Sequence, residues 1–178
     1  METVRRILGW MPGSVEQAVI RVTEEGVHVE GVVLGGSLEE PFAIRYAVMT
    51  DAEGRCRGVT TRAMGSPDVL EFYGDGRGGW TDAVGTVIRE FDGAIDVDIG
   101  ITPVMSMLAA RRLALAVGAS ASFTVACLDT RAATIRAAEH RYGRLSEDQY
   151  HIEQSETGAS ERCQLDVEEW TFERLAGR

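Results

Sequence analysis

The sequence predicts a mainly β fold, an antiparallel sheet or barrel with one short helix. Three observations point there. Apolar and polar residues alternate along most segments, in place of the 3.6-residue recurrence of an amphipathic helix. Turn signals return about every ten residues, the rhythm of antiparallel sheets and barrels. Only segments 103–116 and 130–140 have helix-compatible compositions.

The first four predicted strands are 15–23, 27–34, 42–50 and 55–64. Glu24-Glu25-Gly26 reads as the first hairpin turn, and Asp51-Ala52-Glu53-Gly54 closes the third strand. A short strand at 69–73 leads into Gly74-Asp75-Gly76-Arg77-Gly78-Gly79. Strands at 84–91 and 94–99 flank Asp92-Gly93, a hairpin signal. Thr102 and Pro103 supply an N-cap and a permitted first position for a helix rich in Ala, Leu and Met. Further strands fall at 120–128, 150–155 and 162–170, where Cys163, Leu165 and Val167 alternate with Gln164, Asp166 and Glu168. One β-rich domain over 1–178 is the simplest organisation.

Composition narrows the function. Hydrophobic residues make up 44% of the 178 and charged residues 26%, an ordinary globular balance. All eighteen basic residues are Arg, and there is neither Lys nor Asn. The pattern suits a GC-rich coding sequence. It also excludes Schiff-base chemistry, a phosphate-binding Walker loop and N-glycosylation. The net charge of −10, without an Arg-rich stripe, argues against nucleic acid and anionic membrane surfaces. No apolar run approaches the roughly 20 residues of a spanning helix. Cys56, Cys127 and Cys163 are odd in number and far apart, which suggests reduced thiols. Arg5-Arg6 before Ile7-Leu8 resembles the start of an export signal. Gly9, Pro12, Gly13 and Glu16 interrupt it, so a cytoplasmic location is expected.

Few motifs carry chemistry. Gly74 to Gly79 matches G-x-G-x-x-G, but the strand-like Trp80 to Val87 follows where a phosphate site needs a helix, so a β-turn is expected. Asp96-Val97-Asp98 puts two carboxylates on one face of a strand about 6–7 Å apart, within reach of the spacing used in glycoside hydrolysis. The competing reading is an ion-pair network of Asp96 and Asp98 with Arg111 and Arg112. Being adjacent, the two Arg point in different directions. His28, His140 and His151 lack metal-ligand spacing with one another or with Cys, and no nucleophile elbow exists.

The series Gly74-Asp75-Gly76, Gly79-Trp80, Asp96-Val97-Asp98, Thr102-Pro103, Arg111-Arg112-Leu113, Arg141-Tyr142 and Asp166, in this order and spacing, resembles the glycolipid-binding family, long catalogued as a domain of unknown function. The resemblance runs from about Tyr46 to the C-terminus. It implies a large, strongly bent antiparallel sheet forming an incomplete barrel, similar in shape to bacterial lipoprotein-localisation factors. It also implies a strand from 111 to 117, which shortens the helix to about 103–110. Family members tend to carry Asn and a second Pro between Thr-Pro and the twin Arg. Ser106 and Ala109 stand there in this chain, making the segment more apolar.

The function expected from these readings is non-enzymatic binding of a glycolipid or fatty acyl chain in a barrel-like cavity. Its walls would include Ile44, Val48, Val87, Ile95, Val97 and Val125. The ligand-binding candidates are Tyr46, Phe72, Trp80, Leu113, Leu115, Phe123 and Tyr142, with Arg111 or Arg112 holding a headgroup anion. No metal or cofactor is expected. The alternatives are a packed interaction domain that forms a homodimer through a sheet edge, and a hydrolase using Asp96 and Asp98.

Overall fold

The computed structural model describes residues 2–8, 13–130, 132–155 and 158–175. Seven antiparallel strands in sequence order form the first sheet: β1 (Glu2–Leu8), β2 (Val15–Thr23), β3 (Gly26–Gly36), β4 (Pro41–Thr50), β5 (Cys56–Ala63), β6 (Leu70–Gly74) and β7 (Trp80–Asp82). The alternation that predicted these strands is the alternation of burial. Ala18, Ile20, Val29, Ile44, Tyr46 and Val48 face inward, and their neighbours face solvent. The β2–β3 hairpin turns at the expected place, with Thr23 opposite Gly26. Gly26 has φ +143°, and a Cβ there would stand 2.1 Å from the Thr50 carbonyl oxygen, so only glycine fits. The Gly-rich segment after Gly74 is a tight turn between β6 and β7, with the Asp75 N–H donating to the Gly79 carbonyl at 2.9 Å.

The second sheet holds six strands: β8 (Asp96–Asp98), β9 (Ser120–Asp129), β10 (Thr134–Arg144), β11 (Gln149–Gln154), β12 (Ala159–Asp166) and β13 (Thr171–Leu175). Their order is β13-β12-β11-β10-β9-β8, and the sheet curls strongly into a half-barrel. The expected mainly β fold with one helix and a bent sheet is therefore found. The strands divide between two sheets that share one apolar core.

Three local expectations are corrected. Segment 84–91 is a loop ending in a 3-10 turn at Arg89–Phe91, and Asp92-Gly93 does not make a hairpin. The following strand, β8, pairs in parallel with β9, and a parallel pair needs a crossover connection, supplied here by α1 (Val104–Leu113). The helix runs through Arg111-Arg112-Leu113, where the family resemblance implied a strand. Good helix formers continue to Leu113, and the two Arg favour the negative end of the dipole. Ala114, at φ 44°, then turns left-handed and donates its N–H to the Ala110 carbonyl. Segment 130–140, helix-compatible by composition, contributes strand β10 from Thr134. Its position between β9 and β11 buries Ala138, His140 and Tyr142 and exposes Glu139 and Arg141, so sheet pairing overrides helix propensity. The breaks at Gly9 and Pro12, and Arg131 within segment 130–140, lie outside the described residues.

The core is filled. Phe91 meets Phe72 and Trp80 edge to face at centroid distances of 5.2 and 5.5 Å, and the indole of Trp80 donates to the Ala94 carbonyl at 2.8 Å. Gly31 in β3 lies under the ring of Tyr46 in β4, where a Cβ would come 2.3 Å from Cε1. Gly31→Ala is therefore expected to lower unfolding stability by about 1–3 kcal/mol, the range of an overpacked core, as a reduced urea midpoint with an unchanged m-value.

Candidate functional site

The site is built where the chain passes from the first sheet to the second. Asp96 and Asp98, on one face of β8 as their spacing requires, have separate fates. Asp96 is buried, and Arg112 from the last turn of α1 closes on it: Nε donates to Oδ1 at 2.8 Å and Nη2 to Oδ2 at 2.5 Å. Burial pushes the Asp96 carboxyl above its ordinary range, and the guanidinium opposes that shift. The guanidinium carbon of Arg112 also lies 5.2 Å from the ring centroid of Phe123 in β9. Arg111 points the other way. It donates to the Val167 carbonyl at 3.2 Å, stands 3.6 Å from Glu168 and covers the ring of Trp170. The ion pair is thus Asp96–Arg112, and Asp98 takes no part in it with Arg111. One Asp98 oxygen accepts the Gly100 N–H at 2.7 Å.

A second buried polar group ties the same passage to the first sheet. Glu16 of β2 is buried. Its Oε1 accepts the hydroxyl of Tyr46 and, at 2.8 Å, the hydroxyl of Thr102. Its Oε2 is buried without a hydrogen-bond partner among the described residues. Burial raises the Glu16 carboxyl to about 7, although both hydroxyls favour the ionised form. Thr102 also accepts the Val104 N–H at 3.1 Å, so the triad fixes the start of α1.

The concave side of the half-barrel holds a crevice of about 800 Å³. Register identifies its floor. His140 lies opposite Gln154, Tyr142 opposite Ile152, Ile152 opposite Glu161, and Cys163, next inward after Glu161, opposite Arg174. Asp98, Thr102, Pro103 and Ser106 wall the side nearest α1. Arg174 and Glu161 form an ion pair at 2.7 Å across the floor. Ser106 and the buried Tyr142 line the same crevice, and burial pushes the Tyr142 hydroxyl well above its ordinary range. A second crevice of about 410 Å³ adjoins the first and shares Asp98, Gly100 and Gln154 with it. Cys127 lines this second crevice. The donor atoms of Asp98, Cys127 and His140 all lie within 4.8 Å of one another, a grouping that could hold a metal ion.

Of the residues read from the sequence as ligand-binding, Tyr142 lines the larger crevice. Tyr46, Phe72 and Trp80 lie in the buried core, and Leu113, Leu115 and Phe123 pack against it. Among the other expected walls, Ile44, Val48 and Val97 belong to the same core, and Val125 is buried on the face of β9 shared with Phe123. Val87 is exposed. Sequence reading missed His140, Gln154, Glu161, Phe172 and Arg174 as crevice residues. A signal existed: Glu161 shares its parity with the inward Cys163 and Leu165, and His140 shares its parity with Tyr142.

A family model described as "Putative glycolipid-binding" matches residues 9–172. Among solved structures, a crystal structure of a DUF1089 family protein from Pseudomonas aeruginosa is similar in fold. Its TM-score is 0.77 at 24% identity, covering 92% of this chain and 90% of that one. No curated protein matches the chain.

Two outcomes follow from the buried groups. Removing one partner of a buried ion pair leaves the other charge uncompensated, so Arg112→Ala is expected to cost about 3–5 kcal/mol. In a double-mutant cycle, Asp96→Ala added to Arg112→Ala is expected to cost less than the sum, read from urea unfolding. Glu16 acts through pH. The folded state keeps its proton up to about pH 7, whereas the unfolded carboxyl releases it near 4.5. Between those values the folded state binds more protons, so stability falls as pH rises, by up to about 3 kcal/mol. Glu16→Gln is expected to flatten that part of the stability–pH profile.

Proposed function

Because the chain belongs to the glycolipid-binding family, we propose that it is a non-enzymatic binding protein whose half-barrel crevice takes the polar headgroup of an amphipathic ligand. The observation that carries this reading is the pairing of shape with chemistry on the concave face. A volume of about 800 Å³ lies within the range of small-molecule sites. Its floor carries hydrogen-bonding groups of both senses: Arg174 donates, Glu161 accepts, and Gln154 and His140 offer both. Sugar hydroxyls are donors and acceptors at once and suit such a surface. Tyr142 and Phe172 add flat apolar faces, and Pro103, Ile152 and Leu175 add apolar contact for the ligand's hydrocarbon part.

This reading moves the headgroup from Arg111 and Arg112 to the crevice. Both arginines are engaged elsewhere, by the Val167 carbonyl with Glu168 and by Asp96. It also disfavours a hydrolase built on Asp96 and Asp98. That mechanism needs both carboxylates at the substrate, whereas Asp96 is clamped through both oxygens by Arg112 and, of the two, Asp98 lines the crevice. Among the described residues no helix is long and apolar enough to cross a membrane.

Calorimetric titration with octyl glucoside, and separately with octanoate, tests the proposal. The expected result is saturable binding of the glycoside and much weaker binding of the fatty acid. Arg174→Ala is expected to weaken glycoside binding by about tenfold or more, the scale of a lost hydrogen bond to a charged group. Equal binding of octanoate, or unchanged affinity in Arg174→Ala, would overturn it.

A further inference from the structure

We propose that Asp98, Cys127 and His140 form a binding site for a transition-metal ion of the zinc type, with an open coordination position at the junction of the two crevices. The three residues come from neighbouring strands β8, β9 and β10 of the half-barrel. Asp98 and Cys127 are direct partners in the parallel β8–β9 pair, so their side chains rise from the same face. His140 stands four positions along β10 from Arg136, the partner of Cys127. The curl of the sheet brings its ring back until Nε2 is 3.9 Å from the Cys127 sulfur.

The geometry approaches a coordination shell. Ligands 2.0–2.3 Å from a tetrahedral zinc ion lie about 3.3–3.6 Å apart. The Cys127–His140 separation of 3.9 Å is already near that value, and all donor atoms of the trio fall within 4.8 Å. The remaining contraction is on the scale of side-chain rotamer adjustment. The Gly100 N–H, bonded to one Asp98 oxygen at 2.7 Å, orients that carboxylate as metal-bound carboxylates are commonly oriented.

The donor set selects the ion. A thiolate, an imidazole and a carboxylate together suit zinc and its borderline neighbours, whereas calcium and magnesium require oxygen ligands throughout. Three protein ligands leave one tetrahedral position for water or an incoming oxygen. His140 lines the larger crevice, Cys127 the smaller and Asp98 both, so that position opens onto shared space. The thiol must lose its proton on binding, which makes the affinity rise with pH.

The test uses the full-length, reduced chain and the metal alone, so its outcome is independent of any glycolipid. Titration with Co²⁺ is expected to give one equivalent bound, with a sulfur-to-cobalt charge-transfer band that Zn²⁺ displaces. Cys127→Ser is expected to remove the band. His140→Gln and Asp98→Asn are each expected to weaken Zn²⁺ binding by at least about tenfold, since loss of a group that only orients a ligand already costs 10–100-fold. Cys163→Ser, which alters a buried thiol outside the trio, is expected to keep the band. Far-ultraviolet circular dichroism checks that each variant is folded, and His140→Gln decides the matter if Cys127→Ser is not. A wild-type titration without the band would overturn the proposal, as would Zn²⁺ affinity unchanged in folded Cys127→Ser or His140→Gln.

Discussion

The bidentate pair of Arg112 and Asp96 is the constraint on which the rest of the molecule turns. It anchors the end of α1 to the first strand of the half-barrel, in a place largely closed to water, with Asp96 buried and Arg112 partly so. Gly54, in the turn that joins β4 to β5, lies against the stem of Arg112, where a Cβ would stand 3.0 Å from the Arg112 Cβ. The Cys56 N–H donates to the Ile95 carbonyl at 2.9 Å beside it. The two sheets are thus joined through the segment around β8 and α1. Thr102, hydrogen-bonded to Glu16, holds the other end of that segment to the first sheet. With both ends of the crossover held, β8 can lie parallel to β9 and direct Asp98 into the concave face.

This arrangement separates two kinds of interior. Large apolar side chains fill the space shared by the sheets, and Trp80, Phe91 and Tyr46 are almost wholly enclosed. The concave side of the curled sheet is left as a polar crevice. A hollow greasy barrel, the natural inference from alternating apolar residues, would need that core to be empty. Dense packing is the stable alternative, because each large void forfeits dispersion contacts on its lining. The space that remains for a ligand is where the inward positions are Gln154, Glu161 and Arg174, which stay solvated and can exchange water for ligand hydroxyls.

Buried polarity is concentrated near the same crossover. Glu16 carries a buried carboxyl oxygen without a hydrogen-bond partner among the described residues, and burial keeps its proton on to about neutral pH. Cys56 and Cys163 are buried thiols pushed up to about 12 by the loss of solvent, which leaves them unreactive. Cys127 is half-buried at the edge of a crevice beside an imidazole, a different environment from that of the other two thiols.

Much of the fold was legible in the sequence because its signals are local. The alternation in 15–23 and 42–50 specifies which side chains share a face, Glu24-Glu25-Gly26 specifies a turn, and the i, i+2 spacing of Asp96 and Asp98 places both carboxylates on one side. Thr102-Pro103 likewise marks where α1 begins. The order of motifs was enough for the family. Tertiary structure alone decided which strands pair. The choice of β9 as the parallel partner of β8 joins residues almost thirty positions apart, and backbone hydrogen bonding and burial settle it without a local pattern. The same cause turned a helix-compatible segment into β10, carried the helix through the twin Arg and gave Arg112 to Asp96. It also assembled the site. His140, Cys127, Glu161 and Arg174 are scattered in the chain and become neighbours only when the sheet curls, because proximity across a bent sheet depends on register and curvature, which spacing along one strand does not encode.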